Sequence, residues 1–230
     1  MPTDFARWTA ASALILLIPG ASSAQNIPSV YRHVEHGQEA TMFAGSIDPD
    51  RGQFGFGLGK GLLLGGRYTL EIGGPFALEA VTSLLSASRN VVDPARQEGD
   101  RIIGEVDHSV FAVDLRLRFS LTGRRTWRRI QPYVFLGGGF AFDLSGSQEL
   151  DEELGPADRF DFGTKFTSPF GGGLRYILND RFAIRTDLYI TLFKLDTPSG
   201  WSDPERGFEG VGESDWVNAR TMSIGLAYMF

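Results

Sequence analysis

Met222-Ser223-Ile224-Gly225-Leu226-Ala227-Tyr228-Met229-Phe230 alternates: Met222, Ile224, Leu226, Tyr228 and Phe230 are apolar, and the residues between them are mostly small. Successive side chains of a strand point to opposite faces, so this stretch is a strand with one bulky and one small face. Upstream, Phe182, Ile184, Leu188, Ile190 and Leu192 repeat the pattern opposite Arg185, Asp187 and Tyr189. Phe111, Val113, Leu115, Leu117 and Phe119 do so opposite Asp114, Arg116 and Arg118. The longest instance runs through Phe54, Phe56, Leu58, Leu62, Leu64, Tyr68 and Leu70, opposite Gly55, Gly57, Gly59, Gly61, Gly65 and Arg67. On a helix, apolar side chains at every second residue would wrap the whole circumference. Four weaker strands fill the gaps: Thr41 to Ile47, Phe76 to Leu85 with Glu79 opposite Leu78 and Ala80, Pro132 to Leu144, and Phe160 to Ile177 with Lys165 and Arg175 on the polar side. The triple glycine 137–139 leaves the register of the fifth strand open, because a bulge there would exchange its faces. The expectation is eight strands.

Composition agrees. Glycine is 29 of 230 residues, about 13% against a usual ~7%, and 18 Phe, 6 Tyr and 4 Trp argue against a low-complexity chain. With no cysteine there is no disulfide framework and no thiolate metal site. A net charge of −6 disfavours general nucleic-acid binding, and no nucleic-acid partner is expected.

Residues 1–24 read as a secretory signal peptide. Ala10 to Ile18 is an apolar run of nine, too short to span a bilayer. Pro19-Gly20 breaks it, and Ser22-Ser23-Ala24 offers small residues for cleavage. Residues 25–38 are then expected to be a periplasmic N-terminal segment, and 39–230 a single barrel domain.

The expected connections alternate in length. Short ones are Gly73-Gly74-Pro75, Thr122 to Arg129 and Asn179-Asp180, and longer ones lie around 48–52, 89–104, 146–159 and 196–215. Short turns on one rim and long loops on the other characterise an up-and-down membrane barrel. A soluble barrel would turn its apolar face inward. Three features favour the opposite. The polar face carries Arg67, Glu79, Asp114, Arg116, Arg118, Arg175, Arg185 and Asp187, which are expected to pair as a charge network inside a narrow lumen. Tyr68, Phe76, Phe119, Tyr176, Phe182, Tyr228 and Phe230 gather at the short-turn ends of the apolar face, as an interfacial girdle does. Open sheet edges are not viable in lipid, so amphipathic strands there close on themselves.

With these residues in view, Ser223 to Phe230 resembles the assembly signal of bacterial outer-membrane barrels: polar, any, Gly, two any, aromatic, any, terminal Phe. Together with Gln131-Pro132-Tyr133-Val134-Phe135-Leu136-Gly137-Gly138-Gly139, the chain resembles small barrels of the OmpA transmembrane-domain, OmpX and OmpW type. The resemblance implies an all-β, eight-stranded antiparallel up-and-down transmembrane barrel in the outer membrane. It implies that Ser223, Gly225, Tyr228 and Phe230 are read by the barrel-assembly machinery. Outer-membrane lipids and lipopolysaccharide are the other expected partners, with the protein a monomer.

Other candidates for chemistry are few. His33-Val34-Glu35-His36 has histidines at i, i+3 near a carboxylate but no third fixed ligand, so no metal is assigned. His108 and Ser109 lie beside Asp107 and Glu105, as a lipid A-modifying enzyme would require, but adjacent strand residues point apart and a partner Ser would have to come from another strand. Arg124, Arg125, Arg128 and Arg129 flank Trp127 in one short-side turn, a pattern suited to anionic headgroups or to plain solvation. The opposite rim carries Glu149, Asp151, Glu152, Glu153, Asp158 and Asp161, then Asp203, Glu205, Glu209, Glu213 and Asp215, without the spacing of an EF-hand. The reading is a structural or surface-interaction barrel, not an enzyme, with no cofactor and a lumen plugged by Arg–acid pairs. Alternatives are a narrow OmpW-like small-molecule channel and, further off, a lipid A-modifying enzyme.

Overall fold

The computed structural model describes residues 29–34, 36–146 and 148–230. The expected signal peptide, residues 1–24, lies outside them, as does Glu35 of the histidine motif. Eight long strands form the wall: β1 (Gln38–Pro49), β2 (Leu58–Gly73), β3 (Phe76–Val92), β4 (Ile102–Ser120), β5 (Ile130–Asp143), β6 (Thr164–Ile177), β7 (Phe182–Asp196) and β8 (Ser214–Met229). Each pairs antiparallel with the next, and β8 pairs back onto β1 from Ala219↔Pro49 to Met229↔Glu39. The sheet is therefore a closed barrel without a free edge, the arrangement that satisfies every ladder group within lipid. No helix among the described residues is long and apolar enough to cross a membrane. The strands make the crossing.

Alternation sorts the side chains as the sequence suggests. Met222, Ile224, Leu226 and Tyr228 point outward, and Ser223, Gly225, Ala227 and Met229 are buried. Leu115, Leu136 and Leu188 are 59%, 64% and 64% exposed, part of an apolar outer surface suited to lipid. All seven residues of the expected girdle are exposed on this outer face near the short-turn rim. Rings meet along it, with Phe182–Tyr228 centroids 5.4 Å apart, Tyr228–Phe230 6.0 Å and Tyr68–Phe230 6.3 Å.

Two strands begin later than their periodicity predicts. Phe54 and Phe56 precede β2 and are turned inward, as is Leu58, rather than outward with Leu62 and Leu64. Gly55 has φ +76° and the β2–β3 register shifts between Leu58 and Gly61, so parity is lost at both places. Phe160 and Phe162 are likewise buried, because Gly163 at φ +57° turns the chain before β6 starts at Thr164. At the other extreme, β3 and β4 reach into the expected 89–104 loop, ending at Val92 and starting at Ile102. The N-terminal segment also carries a short strand, Tyr31–His33, paired with Arg125–Trp127 inside the expected Thr122–Arg129 turn. The barrel wall begins at Gln38, one residue before the expected 39.

The fifth strand keeps its register. Pairing with β4 is continuous from Val110↔Asp143 to Ser120↔Tyr133, straight through the three glycines. The two that face inward, Gly137 and Gly139, are there for space. A Cβ on Gly139 would overlap Asp114 Oδ1 and the Val113 carbonyl, and one on Gly137 would overlap Cγ of Arg116 and the Leu115 carbonyl. Gly139→Val is expected to destabilise the barrel by about 1–3 kcal/mol, read as an earlier urea midpoint in lipid vesicles. An unchanged midpoint would mean that the lumen has slack at this level.

Candidate functional site

The inward face of the short-turn half is ionic. Arg185, fully buried on β7, donates from Nη1 to Glu39 Oε1 and from Nη2 to Glu79 Oε1, both at 2.8 Å. Glu79 on β3 also lies 3.7 Å from Arg67 and 3.4 Å from Arg118. Arg67 donates to Asp187 Oδ2 at 3.0 Å, and the Tyr133 hydroxyl donates to Asp187 Oδ1 at 2.6 Å. Arg118 pairs with Glu71 at 2.5 Å, and Arg175 with Glu39 at 2.7 Å and with the Gln131 side-chain carbonyl at 3.0 Å. One layer further, Arg116 pairs with Asp114 at 2.9 Å, and Thr167 donates to the same carboxylate at 3.1 Å. Aromatic faces hold the guanidiniums as well: Arg185 lies 4.8 Å from the Tyr133 centroid, and Arg116 4.7 Å from Tyr189 and 5.0 Å from Phe135.

All eight charged residues singled out in the sequence line this interior, but they do not pair only among themselves. Five arginines against three acids would leave two buried positive charges unpaired. Glu39 and Glu71 complete the set to five carboxylates for five guanidiniums. Both were legible: Glu39 shares parity with Thr41 and Phe43, and Glu71 with Arg67 and Thr69, each just past the expected strand end.

The long-loop half is different in kind. Leu58, Leu63, Leu85, Val110, Phe193 and Ala219 fill it with apolar side chains around a cavity of about 70 Å³. Over this sit aromatics from three connections: Phe54 stacks on Trp201 at 4.3 Å, Phe56 meets Phe160 at 4.8 Å, and Trp201 meets Phe208 at 5.0 Å. Ion pairs fasten the loops, one buried and one reaching the surface through the exposed Arg206. Asp151, from the single helical turn Glu149–Glu152, pairs with Arg89 of β3, and Asp158 with Arg206 at 2.6 Å. These two carboxylates of the acidic loops therefore face protein, whereas Glu149, Glu152, Glu153, Asp161, Glu205, Glu209, Glu213 and Asp215 are exposed.

His108 is buried inside the barrel with Nε2 3.2 Å from Asp143, while Ser109 has the opposite, outward parity. The pair does not form a lipid-facing His–Ser site. His33 and His36 line an open groove at the short-turn rim with Asp180, and no group of three potential metal ligands occurs among the described residues. Of the expected assembly signal, Tyr228 and Phe230 face outward, Ser223 is buried, and the Phe230 N–H donates to the Gln38 carbonyl at 3.1 Å. A Cβ on Gly225 would overlap Phe43 and Thr41.

The family described as outer membrane protein beta-barrel domain matches residues 10–230. Among solved structures, Neisserial surface protein A superposes with a TM-score of 0.51 at 12% identity, covering 84% of this chain and 97% of that one. The solution structure of Escherichia coli Outer Membrane Protein W gives a TM-score of 0.50 at 15% identity, covering 85% and 99%. At such identities the likeness speaks for the fold alone. No curated protein sequence matches the chain.

Removing the Glu39 carboxylate would leave the buried Arg175 and Arg185 short of a partner. Glu39→Gln is expected to cost about 3–5 kcal/mol in urea unfolding followed by tryptophan fluorescence. A loss below about 1 kcal/mol, the scale of an exposed pair, would show that the lumen screens these charges.

Proposed function

Because this chain belongs to the outer membrane protein β-barrel domain family, and so to the outer membrane, we propose that it is a non-conducting barrel with a structural or surface-interaction role. The observation that carries this reading is the charge-balanced set of five guanidiniums and five carboxylates that six of the eight strands send into the interior. An ion passing through would have to part contacts of 2.5–3.0 Å between groups that then lack partners. The apolar half and its aromatic cover add a second barrier of another kind, since a dry constriction resists wetting.

Both chain ends and the short turns are assigned to the periplasmic side, and the long loops to the outside, the usual asymmetry of such barrels. Residues 1–24 are the proposed cleaved export signal. In this orientation the exposed loop carboxylates are placed to share divalent cations with lipopolysaccharide phosphates. The C-terminal Ser223, Gly225, Tyr228 and Phe230 serve the assembly machinery, and the monomer suffices because closure leaves no strand edge to pair. No catalytic role is assigned: His108 is turned toward Asp143 in the interior and Ser109 away from it.

Planar-bilayer recording of the purified protein tests the plug. No steady current above the bare bilayer is expected at moderate voltage. A stable ohmic conductance would establish a conduit in place of a plug.

A further inference from the structure

The connection from β4 to β5 is more than a return of the chain. Its Arg125–Trp127 strand pairs with Tyr31–His33, placing Tyr31 opposite Trp127 and His33 opposite Arg125. Trp127 also pairs with Ile130, the first residue of β5, so Arg128 and Arg129 alone make that hairpin turn. Their φ angles are +48° and +71°, and they are the two non-glycine residues with positive φ among the described residues. A two-residue turn with both positions left-handed has the character of a type I′ turn, for which Asn-Gly is the relaxed sequence. An arginine Cβ crowds the following carbonyl in that conformation. Strain of this sort persists where the side chains serve a purpose that relaxed residues would not.

The placement indicates the purpose. Directly opposed strand residues share a face, and Ile130 has the outward parity of Pro132, Val134 and Leu136. Trp127 and Tyr31 therefore continue the lipid-facing wall beyond the short-turn rim, 46% and 51% exposed. The Arg128 guanidinium lies 5.4 Å from the Trp127 centroid. Arg125, Arg128 and Arg129 are exposed, and Arg124 adjoins them. No Asp or Glu occurs from residue 120 to 133, and no ion pair joins any of the four arginines to a carboxylate among the described residues. Arg129 reaches only a carbonyl, that of Leu178, at 3.4 Å.

We infer that this two-stranded ribbon is a docking surface for anionic phospholipid headgroups of the leaflet at the short-turn rim. Trp and Tyr settle at the level where hydrocarbon meets headgroup. Guanidiniums just beyond them bind phosphate oxygens through paired N–H donors and are drawn to a negative surface. The inference rests on the membrane placement of the barrel, not on whether its lumen conducts. It is tested in nanodiscs, which present the same lipids to both rims and so remove orientation from the outcome.

The full chain would be reconstituted in phosphatidylethanolamine containing a minor fraction of phosphatidylglycerol, and the lipids retained on the protein counted by native mass spectrometry. Phosphatidylglycerol is expected to be retained about tenfold over its share, less so in high salt. Arg128→Asn with Arg129→Gly is expected to abolish most of that preference while unfolding at an equal or higher temperature, since the turn relaxes. Arg124→Gln with Arg125→Gln, which leaves the turn intact, is expected to lower the preference too. Arg96→Gln in a long loop is expected to leave it unchanged. No preference in the unaltered protein, full preference in both double variants, or an equal loss in Arg96→Gln would overturn the inference.

Discussion

Arg185 is the side chain on which the interior is organised. Its two terminal nitrogens hold Glu39 of β1 and Glu79 of β3, and its Nε donates to the Tyr133 hydroxyl of β5 at 3.2 Å. One guanidinium on β7 thus reaches three other strands across the axis. Taking such charges out of water is costly unless each finds a partner, and the attraction repays that cost only with close geometry. Here the partners are supplied in equal number, so the cluster is neutral as a whole. The same requirement fixes register. A one-residue slip of β7 would send Arg185 and Asp187 into lipid and Ile184 and Leu188 inward.

Seen along its axis, the barrel has two interiors. The half toward the short turns is held by ion pairs, the other by apolar packing beneath a cover of Phe54, Phe56, Phe160, Trp201 and Phe208. The division suits the surroundings of each end. Near the short turns the strands are tied by connections as tight as Gly74-Pro75, and the glycines of β5 leave room for Asp114 and Arg116 from β4. At the far end long loops have slack enough to fold back over the mouth, and Arg89–Asp151 fastens one of them from inside.

Strand identity, faces and closure were legible because period-two alternation runs through the greater part of each strand, as in Met222–Phe230 and Phe111–Phe119. Reading failed where backbone conformation, not side-chain pattern, decides direction. Gly55 and Gly163 take positive φ, so Phe54, Phe56 and Phe162 keep the spacing of a lipid face yet turn into the barrel. Two members of the interior network fall outside the expected strands: Glu39 lies two residues before Thr41 and Glu71 one residue past Leu70, both with inward parity. The ribbon of Tyr31–His33 with Arg125–Trp127 joins two three-residue pieces distant in sequence, too short for any periodicity to register. Trp201 and Phe208 of the aromatic cover left no pattern either, because they stand among polar loop residues.

Arg185 and Glu79 act as one coupled unit inside a closed barrel. A double-mutant cycle of Glu79→Gln and Arg185→Gln, read by reversible urea unfolding in lipid vesicles, measures that coupling directly. The double variant is expected to lose less than the two single losses combined, with a coupling of about 2 kcal/mol or more. Single losses that add to within about 0.5 kcal/mol would mean that the two charges are solvated independently, and that the lumen is wet rather than plugged.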